Sequence, residues 1–254
     1  SSALKVLTRA ALRDNLGLMA LPADTAVTFD IARQIATREG AKAVLDGAID
    51  RLGQSYVVSA RLVGSLDGKE LANFRETASS DNDLINAVGK LSRAVRTKAG
   101  ESLRTIQASS ELERVTTPSL PALRKYVEGS RAADEGGDVD KGLTLLQEAV
   151  ELDTGFAMAW RKIGVLLGNE ARDRPRQLAA IEASFRHRDR LTEMERLLTT
   201  GYYYTKGPVV DDEKALAAYE DAIRLDSTST SALNNAGVAE PIDPQIRVAM
   251  SESC

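Results

Sequence analysis

The sequence predicts an α+β amino-terminal domain, an antiparallel meander of about three strands with helices, followed by an all-α array of helical hairpins. Three observations carry this prediction. Residues 41–78 read as short strands punctuated by glycine; apolar residues before and after them recur at helical spacing; and the second half of the chain repeats itself under a fixed shift.

The strands come from "AKAVLDGAIDRL", "QSYVVSARLVGSL" and "GKELANFRETA", which are rich in Val and Ile and alternate as Tyr56, Val58, Ala60 and Leu62 do. Gly53 and the Asp67-Gly68 pair mark hairpin turns, because glycine supplies the positive φ that tight turns require. Before them, "TFDIARQIATREG" predicts a helix with Ile31 and Ile35 four apart and Gly40 as its stop. After them, Leu84, Val88, Leu91 and Val95 predict another, in a pattern that continues to Leu103 and Ile106. The periodicity lapses in "QASSELERVTT", which places a boundary between an α+β domain at 1–108 and helical repeats at 117–240. Residues 241–254 fit neither pattern and form an irregular tail.

The chain has 254 residues, 43% of them hydrophobic, enough for one large or two ordinary domains with a real core. Lys and Arg number 33 against 37 Asp and Glu, a net charge of −4 with no long run of one sign, which argues against nucleic acid as a partner. Cys254 is the one cysteine and His187 the one histidine, so an internal disulfide and His or Cys metal clusters are excluded, and no cofactor is called for. No apolar run approaches the roughly 20 residues of a membrane span. The start at Ser1-Ser2 carries no signal peptide and reads as a fragment of something longer.

In the second half, residues 148–164, "EAVELDTGFAMAWRKIG", align without gaps on residues 221–237, "DAIRLDSTSTSALNNAG", a shift of 73. Ala149 falls on Ala222, Asp153 on Asp226 and Gly164 on Gly237. The shift divides into a 34-residue unit and a 39-residue one, and stepping back 34 from Trp160 reaches Tyr126. Each unit would be a pair of helices unable to bury its apolar face alone. Gly164, Ala149, Ala222 and Gly237 let helices approach, while Tyr126, Trp160, Leu146 and Tyr219 fill the gaps.

These residues resemble tetratricopeptide repeats: an aromatic at Trp160, a hydrophobic three on at Ile163, then Gly164, with Ala149 late in the preceding helix. Ser130, Thr154 and Ser227 depart from that pattern, and the middle unit is about five residues long and irregular. Over nearly the whole chain, "IATREGAKAVLDGAIDRLGQSYVVSARLV", "GESLRTIQASSELERVTTPSLPALRKYVEG" and "HRDRLTEMER" are similar to the region that follows the kinase domain and membrane helix in bacterial serine/threonine kinases with tetratricopeptide repeats. The α+β half resembles the small domain of TolB-type envelope proteins, with its first strand and helix missing. The resemblance implies an accessory part of a membrane kinase or a related protein, tethered to a membrane helix upstream of Ser1 and placed on the extracytoplasmic side, with the cytoplasm as the alternative. It implies sensing or scaffolding through a protein or peptide partner and brings no catalytic residues with it.

His187-Arg188-Asp189 spells the opening of a kinase catalytic loop, but that loop needs an asparagine five residues after the aspartate, where Met194 stands. The stretch reads instead as a helix end, a turn and a helix capped by Thr192 with Glu195. "DEGGDVD", residues 134–140, lacks the ligand order of a calcium loop and reads as a turn with Asp138 as a cap. Three consecutive tyrosines, 202 to 204, cannot all face inward on a helix. If the first helix of each pair lines a groove, Arg124, Arg131, Arg161, Lys162 and Asn234 project into it, and such a basic surface suits an acidic peptide or a carboxyl terminus; the competing reading is a solvated helix face. A non-catalytic interaction module is therefore expected. A TolB-type envelope assembly protein and a carboxylate-based hydrolase are the alternatives, the latter needing paired acids of perturbed pKa in a cleft.

Overall fold

The computed structural model describes residues 7, 9–22, 24–101, 117–227 and 229–239. The chain divides into two compact units, Ser1–Glu111 and Leu112–Cys254. The first is a small three-stranded antiparallel sheet with helices and the second is helical, so the coarse prediction of α+β followed by all-α holds. The domain boundary expected between residues 108 and 117 lies outside the described residues, as does the tail at 241–254.

In the first unit α1 (Arg9–Leu18) and α2 (Phe29–Arg38) precede β1 (Ala43–Leu52), β2 (Ser55–Gly64) and β3 (Glu70–Ala78), and α3 (Leu84–Lys98) follows. Thr28 caps α2, its hydroxyl accepting from the Ile31 amide at 3.4 Å, and Gly40 ends it at φ +67°. Gly53 and Gly68 turn the two hairpins at φ +66° and +68°. The strands run β1-β2-β3, with Leu45 opposite Leu62, Ile49 opposite Val58 and Ala60 opposite Phe74. On β3, Ala72, Phe74, Glu76 and Ala78 are the less exposed set while Asn73, Arg75 and Thr77 face solvent. The covered set lies under α3, which packs on β3 and β2 through the buried Leu84, Ile85, Leu91 and Val95. Helix α3 stops at Lys98 and Gly100 turns out at φ +89°; Leu103 and Ile106 lie outside the described residues. Helix α1, absent from the sequence reading, buries Leu16, and the buried Asn15 amide donates to the Ala11 carbonyl at 2.8 Å and to Glu39 at 2.9 Å. That bond fastens α1 to the end of α2.

The described part of the second unit contains α4 (Leu120–Asp134), α5 (Val139–Leu152), α6 (Ala157–Asn169), α7 (Arg174–Arg186), α8 (Glu193–Lys206), α9 (Asp212–Leu225) and α10 (Thr230–Ala239). Each packs chiefly on its neighbours in sequence. Aspartate starts every second helix: Asp138, Asp173 and Asp211 accept from the amides of Lys141, Arg176 and Lys214 at 3.0, 3.2 and 3.0 Å. Eight residues on from each cap stand Leu146, Ile181 and Tyr219, all buried.

Each first helix carries a glycine of one series, Gly129, Gly164, Gly201 and Gly237, at steps of 35, 37 and 36 residues. The first three lie where the second helix comes closest. A β-carbon at 129 would fall 3.1 Å from Cγ of Leu146, one at 164 would fall 3.1 Å from Cγ1 of Ile181, and one at 201 would fall 2.5 Å from Cζ of Tyr219. Hairpins therefore close on a glycine against the residue 17 or 18 further on, because only a missing side chain lets the helix axes approach so far.

This register corrects the division of the 73-residue shift. The first helices begin after residues 119, 156, 192 and 229, at steps of 37, 36 and 37, so the shift is 37 plus 36 rather than 34 plus 39, and the middle unit is of ordinary length. Tyr126, three before its glycine, is not the counterpart of Trp160, which stands four before; Lys125 is. The predicted packing residues Leu146, Ala149, Tyr219 and Ala222 are fully buried. Trp160 is half-buried, and its indole N–H donates to the Thr154 carbonyl at 2.8 Å. Gly237 faces open space among the described residues.

Candidate functional site

The glycine register sorts the first helices into columns. Three residues before each glycine stand Tyr126, Arg161, Leu198 and Asn234, and one residue after stand Ser130, Val165 and Tyr202; positions four apart share a helix face. Of the five predicted groove residues, Arg161 and Asn234 belong to this column. Arg124, five before Gly129, and Arg131, two after it, lie on the far side of α4 at 100° per residue, and both are exposed. Arg131 pairs with Glu135 at 3.7 Å. Lys162 stands beside the column and pairs with Asp134 of α4 at 2.6 Å. Of the column and its neighbours, Arg161 lies near enough to Tyr126 and Tyr202 for its charge to act on them, whereas Leu198 is buried in the core beside Tyr219 and Asn234 is exposed two hairpins further on.

Arg161 is the centre of the candidate site. It is half-buried, and its Nε is enclosed without a hydrogen-bond partner. Its charge acts on three phenols from three helices, Tyr126 of α4, Tyr202 of α8 and Tyr219 of α9. Burial pushes all three phenols above the ordinary tyrosine range. The hydrogen bond from Gln177 to Tyr202, the contact of Thr205 with Tyr219, and the Arg161 charge at all three pull back part of that rise. In an alkaline absorbance titration Tyr126, Tyr202 and Tyr219 should therefore ionise above about pH 10, and the stability they contribute should be present below that pH and lost as pH rises through their folded values.

Tyr202 joins the column to a cleft of about 440 Å³ bordered by Gly168, Arg172, Arg174, Gln177, Lys206 and Asn235. The Tyr202 hydroxyl donates to the Gly164 carbonyl at 3.3 Å and accepts from the Gln177 amide at 3.3 Å. A β-carbon at Gly168 would meet the Tyr202 hydroxyl at 2.7 Å, so this glycine gives the phenol its seat. Gln177 also accepts from Arg174 at 2.7 Å, while Arg172 is held by Asp140. Among the described residues the cleft border carries Arg174, Lys206 and the Asp140-paired Arg172 and no carboxylate, and Arg161 lies near enough to Tyr202 to extend that field.

The other two tyrosines of the run turn elsewhere. Tyr203 stacks on Phe185 with ring centroids 3.9 Å apart, Tyr204 meets both rings edge-on, and Arg188 lies 4.0 Å over Phe185. His187 ends α7, Arg188–Arg190 forms a 3-10 turn, and Thr192 opens α8 in a capping box with Glu195, as the spacing predicted. Residues 134–140 form the turn between α4 and α5, with Gly137 at φ +63° and Asp138 as the cap. The two least exposed carboxylates in ion pairs, Glu101 and Asp153, are each matched by an arginine, Arg96 and Arg190. Among the described residues no group of three His, Cys, Asp or Glu is placed to hold a metal, and no helix is long and apolar enough to cross a membrane.

Sequence reasoning singled out the run of tyrosines 202 to 204 but not which of them faces the cleft, and it missed the cleft itself, because it anchored the repeat on its aromatics. The even spacing of Gly129, Gly164, Gly201 and Gly237 is the signal that finds them. Neither a family model nor a curated protein matches the chain.

Proposed function

We propose that residues 117–240 form a tetratricopeptide-type module that holds an acidic segment of a partner protein without catalysis. In this reading the chain is an accessory, extracytoplasmic region of a bacterial membrane kinase or a related protein. The observation that carries it is the half-buried Arg161, close to Tyr126 and to the Tyr202 that borders the cationic cleft. The half-buried Arg161 suits a carboxylate because its guanidinium fork matches carboxylate geometry.

The test is fluorescence polarisation with short labelled acidic peptides, each as free acid and as carboxyl-terminal amide. Arg161→Gln and Arg161→Glu should weaken binding about tenfold or more, while Arg131→Glu, on the far side of α4, should leave it unchanged. Circular dichroism melts of the variants serve as the control, and should match the parent's. Equal affinity in the Arg161 variants, or no binding by any acidic peptide, overturns the reading.

A further inference from the structure

Among the described residues strand β1 lies at the edge of the sheet, and the hydrophobic layer runs off that edge. Leu45 and Ile49 stand opposite Leu62 and Val58 and share their face, the one under α3, yet they are 49% and 55% exposed because α3 covers β3 and β2. The edge is also ready to pair. The Ser65 amide donates to the Lys42 carbonyl at 3.1 Å, which makes 42 and 65 a hydrogen-bonded pair, so the even residues of β1 bond to β2. Ala43, Leu45, Gly47, Ile49 and Arg51 accordingly direct their N–H and C=O groups outward. The strand is ten residues long, pairs with β2 without a bulge, and contains no proline or lysine, the features that usually protect an edge.

We propose that β1 pairs antiparallel with β1 of a second copy of this chain, about a two-fold axis through Gly47, joining two three-stranded sheets into one of six. Charge and apolar matching select this register. It sets Leu45 opposite Ile49 of the second copy twice over, and only outward-facing residues oppose one another across the hydrogen-bonded positions. It puts Lys42 diagonal to Asp50 of the second copy, within reach of its long side chain. Centring on Ala48 would set Asp46 directly opposite Asp50, two like charges. In the chosen register the two Asp46 carboxylates approach diagonally, and each carries its own Arg61 at 2.8 Å. Gly47 suits the axis because it leaves the Leu45 and Ile49 side chains of both copies free to close over it. This pairing is independent of the peptide-binding reading, since it uses only the first unit.

Sedimentation equilibrium on the whole chain tests it. The parent should show a concentration-dependent dimer, and Leu45→Lys or Ile49→Lys should raise the dissociation constant about tenfold or more, at positions exposed enough to leave the monomer's melting temperature unchanged. The register has its own readout: Lys42→Asp should weaken the dimer, and Lys42→Asp with Asp50→Lys should restore it. A monomer at every accessible concentration, a dimer indifferent to Leu45 and Ile49, or a charge swap that fails to restore would each overturn the proposal.

Discussion

Alanine at Gly201 is expected to destabilise the helical unit by about 2 kcal/mol, although alanine is the better helix former. In an open helix interior the exchange would gain up to about 1 kcal/mol from propensity. At 201 the new β-carbon lies 2.5 Å from Cζ and 2.8 Å from Cδ1 of Tyr219, whose side chain is fully buried, so ring or helix must move. Overpacking of this kind costs about 1–3 kcal/mol and here outweighs the gain. Two controls make the claim specific. Gly237→Ala, facing open space among the described residues, should be neutral or stabilising. Tyr219→Leu should partly rescue Gly201→Ala, because Leu146 and Ile181 already serve as the aliphatic counterparts against Gly129 and Gly164. The quantity to measure is the coupling energy in a double-mutant cycle by chemical denaturation, expected at about 1 kcal/mol or more. Additive effects would mean that Gly201 and Tyr219 do not form the pivot.

What was legible in the sequence follows from how local each cause is. Gly53, Gly68 and the alternation of Tyr56, Val58 and Ala60 act within a few residues, and the three strands appear within about two residues of their expected ends. The caps at Asp138 and Thr192 are equally local. Helix α1 went unread because its first turn has no acidic residue and its apolar face is narrow, Leu16 being its one described buried apolar residue. The repeat was visible, but an aromatic ruler pairs Trp160 with Tyr126, and aromatics tolerate a shift of one helical place. Close-approach glycines do not, since moving one would drive a side chain into the facing helix. Of the site, Arg161 could be found from the repeat alone. Tyr202 could not, because its role depends on Gln177 and Gly168 from other helices.

The second large effect is expected at Asp153, which the sequence shows only as one half of a repeated aspartate. Its carboxylate takes two bonds from Arg190, at 2.8 and 3.1 Å, one from the Thr117 hydroxyl at 2.7 Å and one from the Gly155 amide at 3.0 Å. Thr117 precedes α4, Gly155 lies in the turn into α6, and Arg190 lies between α7 and α8, so one side chain ties three junctions together. The Asp153 side chain is 14% exposed and that of Arg190 23%, and Thr117 is fully buried, so removing the charge leaves enclosed donors without an acceptor. Such losses cost about 2–4 kcal/mol, well above the worth of an exposed ion pair. Asp153→Asn should therefore destabilise the unit by about that amount at neutral pH, whereas Asp211→Asn, at an exposed cap where asparagine serves nearly as well, should cost far less. The pH dependence separates a charge effect from a packing one. Burial pushes the Asp153 carboxyl up, but the bonds from Arg190 and Thr117 outweigh it and hold the group below the usual carboxylate range. Its contribution is thus complete above about pH 4 and is lost as pH falls through the lowered folded value. Denaturation curves of parent and Asp153→Asn should converge below about pH 4; a gap that stays constant into acid would show that shape, not charge, is what Asp153 supplies.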